Sequence, residues 1–357
     1  MRGSSAVGAE NRVSDELRRV TDRGRWNMLV DDSPSTYFSQ LWEWGEIQRS
    51  IGWEPWRLEL VPSEPGQAQP IAATQLLVRR IPGLGWGIAH APRGPLLGRA
   101  SAPWGQFELA LTRWARNNRI ATLVFDPDVS AESELGVALT RRPWNPAPML
   151  GEPRCHVVDV VPEPELWANV RRKHREWIRR AERANLEIRW TDRDSSQASA
   201  DVAINHFQQV YREIAERIGV RLQASDYYEL MWHTLRAAGR AQMLTAAEDG
   251  VPVGAMLHFT CGDQMIWFAG GQAANGERLG VGKLLVWRSM LRAGELGYGR
   301  YNMWGTATEG LAHFKLGFGA REESYVGTRS LAVNRPMDRL LRTAWVARAV
   351  GRNLIRR

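Results

Sequence analysis

Residues 278–319 read RLGVGKLLVWRSMLRAGELGYGRYNMWGTATEGLAHFKLGFG, and this stretch decides the fold. Gly280 and Gly282 open a helix on which Leu284, Trp287, Leu291 and Gly294 recur at the spacing of one face. Gly297 and Gly299 close it, as helix C-termini prefer. Tyr301 to Trp304 reads as a short buried strand ended by Gly305, and Phe314-Lys315 and Phe318-Gly319 follow after a short loop. Turn, helix, strand and a lysine among apolar residues form half of an α/β unit.

The flanking sequence supplies the other half. Phe207–Ile218 and Tyr227–Ala237 read as helices, and Gln242–Ala247, Val253–Thr260 and Gln264–Ala269 as strands around an Asp-Gly turn. The N-terminal half has the same order of parts. Phe38, Leu41, Trp44 and Ile47 mark a helix face, and Trp56–Val61 and Ile71–Val78 are strands. The loop Ile88–Gly98 leaves a strand, Phe107–Asn118 is a helix, and Ala121–Phe125 and His156–Val161 are strands. Two copies of one α/β unit explain this economically. We therefore expect a disordered tail over 1–24, a first domain over 25–160 completed by 328–357, and a second over 161–327. Arg321–Val333 would return a strand to the first domain.

Composition bounds the function. The 357 residues carry a formal charge of +8, which favours anionic partners. Lys173, Lys283 and Lys315 are the only lysines, so each stands out against the arginines. The N-terminus has no apolar core of a signal peptide, and no run of about eighteen apolar residues exists. A cytoplasmic protein, in places peripheral to the membrane, is the expectation. Cys155 and Cys261 fit no metal or redox spacing, and the seven histidines show no paired-ligand spacing, so neither metal nor cofactor is expected. There is no G-x-S-x-G elbow, which argues against an acyl-enzyme. Direct transfer of an activated acyl group to an amine needs only juxtaposed substrates and positive charge at the developing oxyanion. Lys315, flanked by Phe314 and Leu316, is the candidate for that charge.

Ala293 to Gly297, Tyr301-Asn302 to Gly305, and Phe314-Lys315 to Phe318-Gly319 together resemble the signature of the Fem family. These are aminoacyl-tRNA-dependent transferases that build peptidoglycan cross-bridges. The likeness runs from about Tyr37 to Gly327 and implies two GNAT-like α/β domains, without the coiled-coil arm of many members. It also implies aminoacyl-tRNA as donor and a lipid-linked peptidoglycan precursor as acceptor. Lys315, Phe314 and Tyr301 would form the catalytic site, and Arg93, Arg217, Tyr227, Tyr228 and Trp44 would hold the acceptor. Where some relatives carry a basic residue for a substrate phosphate this chain has Gln48, and where an acidic residue usually follows P-R-G-P it has Gly98.

Three anion-binding elements are expected. Glu165–Ala184 reads as one strongly basic helix, with Arg175 and Arg179 at positions the family shares. The turn before Gly280, Gly282 and Lys283 is similar to the GNAT turn [QR]-x-x-G-x-[GA], which cradles a pyrophosphate at a helix start, except that Glu277 holds its first position. It would take a phosphate of the tRNA end or, in the rival reading, of an acyl-CoA donor. Pro336–Arg357 reads as a basic amphipathic helix, docked on the protein or on a membrane surface. A non-catalytic binding protein of the same fold is the other alternative. The amino acid transferred and the oligomeric state are not encoded in any of these signals.

Overall fold

The computed structural model describes residues 16–61, 70–97, 104–148, 150–151, 153–219, 221–305 and 308–341. Gly98, residues 1–15 of the expected tail and residues 342–357 of the expected C-terminal helix lie outside the described residues. Residues 16–24 are ordered, a correction to the expected tail. They form β1 (Glu16–Arg19), which pairs with the next strand, and the start of α1 (Arg23–Asp32), whose N-terminus Asp22 caps.

The first sheet takes β1, β2 (Glu54–Val61), β3 (Ala72–Arg80), β4 (Gly87–Arg93), β5 (Leu96–Leu97), β6 (Ile120–Pro127) and β7 (Asn145–Pro146). Packed with it are α2 (Trp42–Ser50), α3 (Trp104–Asn117) and α4 (Glu134–Thr140). The chain then builds the second sheet from β8 (Arg154–Asp159), β9 (Leu186–Thr191), β10 (Ala241–Glu248), β11 (Val251–Cys261), β12 (Gln264–Gln272), β13 (Arg300–Asn302) and β14 (Arg321–Ser324). Its helices are α5 (Glu163–Asn169), α6 (Arg172–Glu182), α7 (Gln197–Ile218), α8 (Ser225–Ala237), α9 (Ala274–Glu277), α10 (Val281–Glu295) and α11 (Glu309–Leu316). Finally β15 (Arg329–Ala332) returns to the first sheet between β6 and β7, and residues 335–341 are helical.

The spatial orders are β1-β2-β3-β4-β6-β15-β7 and β9-β10-β11-β12-β13-β8-β14. Position by position these are one architecture used twice. Three antiparallel neighbours lead to a strand with a parallel partner, joined to it through a helix, α3 or α10. Two expectations are corrected. β8 belongs to the second sheet, although the expected boundary put it in the first domain, and the Arg321–Val333 segment divides between β14 in the second sheet and β15 in the first.

On α10, Leu284 and Trp287 are buried as expected, Leu291 is half-buried and Gly294 is exposed. Leu285, Val286, Ser289 and Met290 are buried as well, because the helix lies between the sheet and α6 and is covered on several sides. The two halves meet in a shared apolar cluster, where Phe38 packs on Phe259 (4.9 Å), and through ionic and polar contacts. Arg240 grips Asp31 with both guanidinium nitrogens, and Gln264 donates to Thr36 O (2.9 Å). No helix among the described residues is long and apolar enough to cross a membrane.

Candidate active site between the two domains

The parallel partners β12 and β13 pair at only three positions, Gln264–Arg300, Met265–Tyr301 and Ile266–Asn302. Just past Ile266, β12 carries a bulge: Leu257 faces Ala269 and His258 faces Trp267, so Phe268 is the extra residue. A bulge bends its strand and sharpens the local twist. Gly270 sustains the bend at φ +101, where a Cβ would lie 2.1 Å from Ala255 O. On the other side β13 ends and Trp304 turns into the left-handed region at φ 63. Pairing between the strands stops there, which leaves a gap in the β12–β13 ladder. Met265 and Trp267 face α10, whereas Ile266 and Phe268 face α7 and the first domain. The residues beside this gap therefore belong to two opposite faces of the sheet.

Lys315 stands at this gap. It lies on α11, whose start Thr308 caps, and not in an extended segment. Its side chain is buried, and Nζ donates to the carbonyls of Met303 (2.6 Å), Trp304 (3.2 Å) and Gly305 (2.5 Å). It also lies 5.5 Å from the centre of the Trp267 ring. A buried ammonium needs such partners to offset its desolvation. Here they place one positive charge against both edges of the gap. Phe314 packs on His174 and Phe318, and His174 Nε2 bonds its carbonyl (3.1 Å). Tyr301 does not line the gap. Strand alternation turns it under α10, where its hydroxyl meets His258 Nε2 (3.2 Å) and burial raises its pKa.

Facing the first domain, the gap opens on aromatic side chains. Phe268 and Trp304 lie edge to face at 5.5 Å, Phe38 is 5.6 Å from Trp304, and Trp44 meets Phe38 edge-on at 5.0 Å. Trp44, Phe268, Trp304 and Tyr227 are half-buried, which leaves a partly open aromatic wall. Gln48 is buried in α2 and donates to Tyr227 Oη (2.9 Å), so it joins the domains. Of the expected acceptor residues, Trp44 and Tyr227 lie on this wall, whereas Tyr228, Arg217 and Arg93 do not. Tyr228 points the other way and lines, with Tyr211 and Arg221, a separate groove of about 710 Å³ between α7 and α8. Arg217 is exposed at the end of α7, with one long hydrogen bond to Gln272 O (3.4 Å).

Arg93 is buried at the seam between domains, in the left-handed region at φ 56. Its guanidinium lies over Tyr37 (5.4 Å) and Tyr325 (5.1 Å) and 3.7 Å from Asp128. Its N–H donates to Asp126, which also meets His90 Nε2 (2.9 Å). Burial works against its charge, but Tyr37, Asp128 and Asp126 outweigh that and its pKa rises. Nearby, burial pushes the Cys155 thiol up to about 12, and its sulfur hydrogen-bonds Tyr325 Oη. This site is a packed interdomain joint. Its link to the aromatic wall runs through Tyr37, 5.8 Å from Trp304.

On the α10 face the expected single helix 165–184 is two helices. Val170 is extended and buried between them, and the Arg171 N–H is held by Gly317 O (2.9 Å). The periodicity of the charges hid this break, which sets the start of α6 beside α11. Arg175 bonds Trp167 O (3.2 Å) and Arg179 lies over the Trp167 ring, so both brace α5. Arg171, Arg172, Lys173, Arg180 and Arg183 are exposed. The glycine turn before α10 has the expected shape, with Gly280 at φ 78, but the protein itself covers it. Gln272 Oε1 accepts from the Gly282 N–H (2.7 Å), and Trp177 lies so close that a Cβ on Gly280 would be 2.9 Å from its ring. Lys283 Nζ rests between Trp177 (5.4 Å) and Phe314 (5.6 Å), and burial lowers its pKa.

Comparison with known proteins agrees with this geometry. The acetyltransferase (GNAT) domain family matches residues 168–316, which identifies the second half as an acyltransferase domain. The fold is similar to that of FemX, at 16% identity and TM-score 0.78 over 91% of this chain and 99% of that one. It is also similar to a tandem GNAT protein from the clavulanic acid biosynthesis pathway, at 11% identity and TM-score 0.55 over 90% and 99% of the two chains. L-PGS from Bacillus licheniformis follows, at 14% and 0.53 over 90% and 96%. No curated protein matches the sequence. The Fem resemblance read in the sequence is met by the fold, two GNAT-like domains in tandem.

Proposed function

We propose that this acyltransferase moves an amino acid from aminoacyl-tRNA to an amine on the stem peptide of a lipid-linked peptidoglycan precursor. The observation that carries the choice of donor is the covered turn at Gly280–Gly282. An acyl-CoA donor would place its pyrophosphate on free N–H groups at the start of α10. Here the Gly282 N–H already serves Gln272 and Trp177 fills the space over Gly280. Beside it, the outward arginines and Lys173 of α6 offer the charge that a nucleic-acid backbone takes.

In this reading the aminoacyl ester enters the gap from the α6–α10 face and the acceptor amine from the aromatic wall. The amine nitrogen attacks the ester carbonyl, the C–O bond to the terminal ribose breaks, and the amine proton passes to the departing ribose oxygen. Lys315 stabilises the oxyanion of the tetrahedral intermediate through its charge. An oxyanion would replace its 3.2 Å hydrogen bond to Trp304 O. Arg93 is then a positioning residue that acts through Tyr37 and Trp304.

The test is incubation of the purified protein with lipid-linked precursor and labelled aminoacyl-tRNA. Label should reach the lipid fraction, and ribonuclease pretreatment should abolish the transfer. Lys315→Ala should lower turnover about a hundredfold or more, on the order of 3 kcal/mol of barrier, with tRNA binding retained. The GNAT match and the left-handed Gly280 at the start of α10 favour a second reading, acyl-CoA as donor. Transfer from acyl-CoA but not from aminoacyl-tRNA would establish that reading and overturn ours.

A further inference from the structure

Three turns meet at the end of the first sheet remote from Arg93. The α2–β2 turn shows Ile51 at 44% exposure, and the β3–β4 hairpin shows Leu84 at 43%. Trp53 and Trp86, half-buried, end the same two turns. Arginines knit the turns together. Arg79 donates to Ile51 O and lies 4.6 Å over the Trp53 ring, Arg80 donates to Asn118 O (3.0 Å) in the α3–β6 turn, and the Gly87 N–H bonds Arg119 O (3.0 Å). Arg79, Arg80, Arg116 and Arg119 are all exposed here, with Glu54 the carboxylate that meets Arg80 (3.8 Å).

We infer that this tip docks the protein on an anionic lipid surface. Two exposed aliphatic side chains at the apex, two tryptophans in the same turns and a collar of arginines match the layers of a membrane interface. The aliphatic groups enter the acyl boundary, the aromatic rings sit at headgroup depth and the cations meet lipid phosphates. RNA fits the tip less well, since it offers nothing for Ile51 and Leu84 to bury. Position agrees too. Gln48, one helical turn before Ile51, bonds Tyr227 of the second domain, so the tip adjoins the interdomain seam. A docked protein would hold the edge of its cleft near the headgroups. The inference does not rest on the proposed reaction, because a lipid surface can be bound whatever the acceptor is.

The experiment is co-sedimentation of the full chain with vesicles of phosphatidylcholine, with and without a quarter phosphatidylglycerol. Binding is expected with the anionic vesicles and should weaken with salt. The double variant Ile51→Ser, Leu84→Ser should lower the partition coefficient tenfold or more, and Arg80→Gln, Arg116→Gln by about fivefold per charge. Unchanged circular dichroism and melting would show that these surface variants fold. No binding to anionic vesicles would overturn the inference, as would folded variants that bind like the parent, which would put any membrane contact elsewhere. Variants that lose tRNA binding while keeping vesicle binding would also overturn it and make the tip an RNA contact.

Discussion

The two halves build the same sheet and treat its parallel pair in opposite ways. β4 and β6 stay paired at seven positions, from Gly87–Ile120 to Arg93–Pro127. β12 and β13 part after three. Each half has one extra residue near this pair, but in different ladders. In the first half the extra residue is Ala121, at the start of the ladder, and pairing recovers after it. In the second it is Phe268, in the β11–β12 ladder just beyond the last β12–β13 pair, and β12–β13 pairing does not resume. The end of the closed ladder carries the packed joint around Arg93, and the mouth of the open one carries Lys315. Equal architecture does not bring equal chemistry, and the first half acts here as a partner surface.

If Arg93 seals the closed half, breaking it should have the largest effect. Arg93→Met removes the cation beside Asp128 and Asp126 and leaves buried carboxylates without it. A cost of about 3–5 kcal/mol is expected for breaking such a pair from one side. Urea unfolding measures it, and Asp128→Asn in the same background should recover part of the loss, as coupled neighbours do. An unchanged midpoint would mean that the joint does not hold the domains together and would return Arg93 to the expected role of holding the acceptor.

The open half should be the more sensitive to acid. His258 pairs opposite Trp267 at the bulge, fully buried, and burial lowers its pKa to about 3 from the ordinary 6.5. The unfolded chain therefore takes up a proton near pH 6.5 that the folded chain refuses until about pH 3. Its contribution is fully present above pH 6.5 and is lost as pH falls through that window, by about 1.4 kcal/mol per pH unit. Urea midpoints between pH 7 and pH 4 should show this slope, and His258→Gln should flatten it. A parent slope that survives the substitution would assign the acid sensitivity to other groups.

The order of parts was legible because turn glycines and apolar spacing are local signals, and the α10–β13–Lys315 sequence carried most of the fold. What stayed hidden had weak local signals. α1 buries little more than Trp26 and Val30, so no apolar stripe announced it. The break at Val170 was masked by arginines whose spacing continues across it. β9 does alternate, Leu186, Ile188 and Trp190 facing one side, but it lies hard against a helical pattern. The site was less legible than the fold. Sequence marked Lys315 as unusual, but only tertiary structure shows its ammonium on three carbonyls. Nothing local shows that Gln272, ten residues from Gly282, covers the phosphate turn, or that Tyr227 meets Gln48 of the first domain while its neighbour Tyr228 lines the α7–α8 groove.

Gln48 sets the finest test of whether the first half contributes only a wall. It stands where a basic residue would capture a phosphate, yet its amide is engaged with Tyr227 Oη, whose pKa burial raises. As part of the wall, Gln48→Leu should cost about 1 kcal/mol, the net worth of one hydrogen bond. Tyr227→Phe should cost a similar amount, and the double variant little more, because both remove the same bond. Steady-state kinetics should then show kcat and KM for the acceptor within about twofold of the parent, since the change stays between the domains. The contrary outcome is an unaltered urea midpoint with KM raised tenfold. That would make Gln48 a substrate contact exposed to the cleft during turnover, and the closed half would supply binding energy as well as shape.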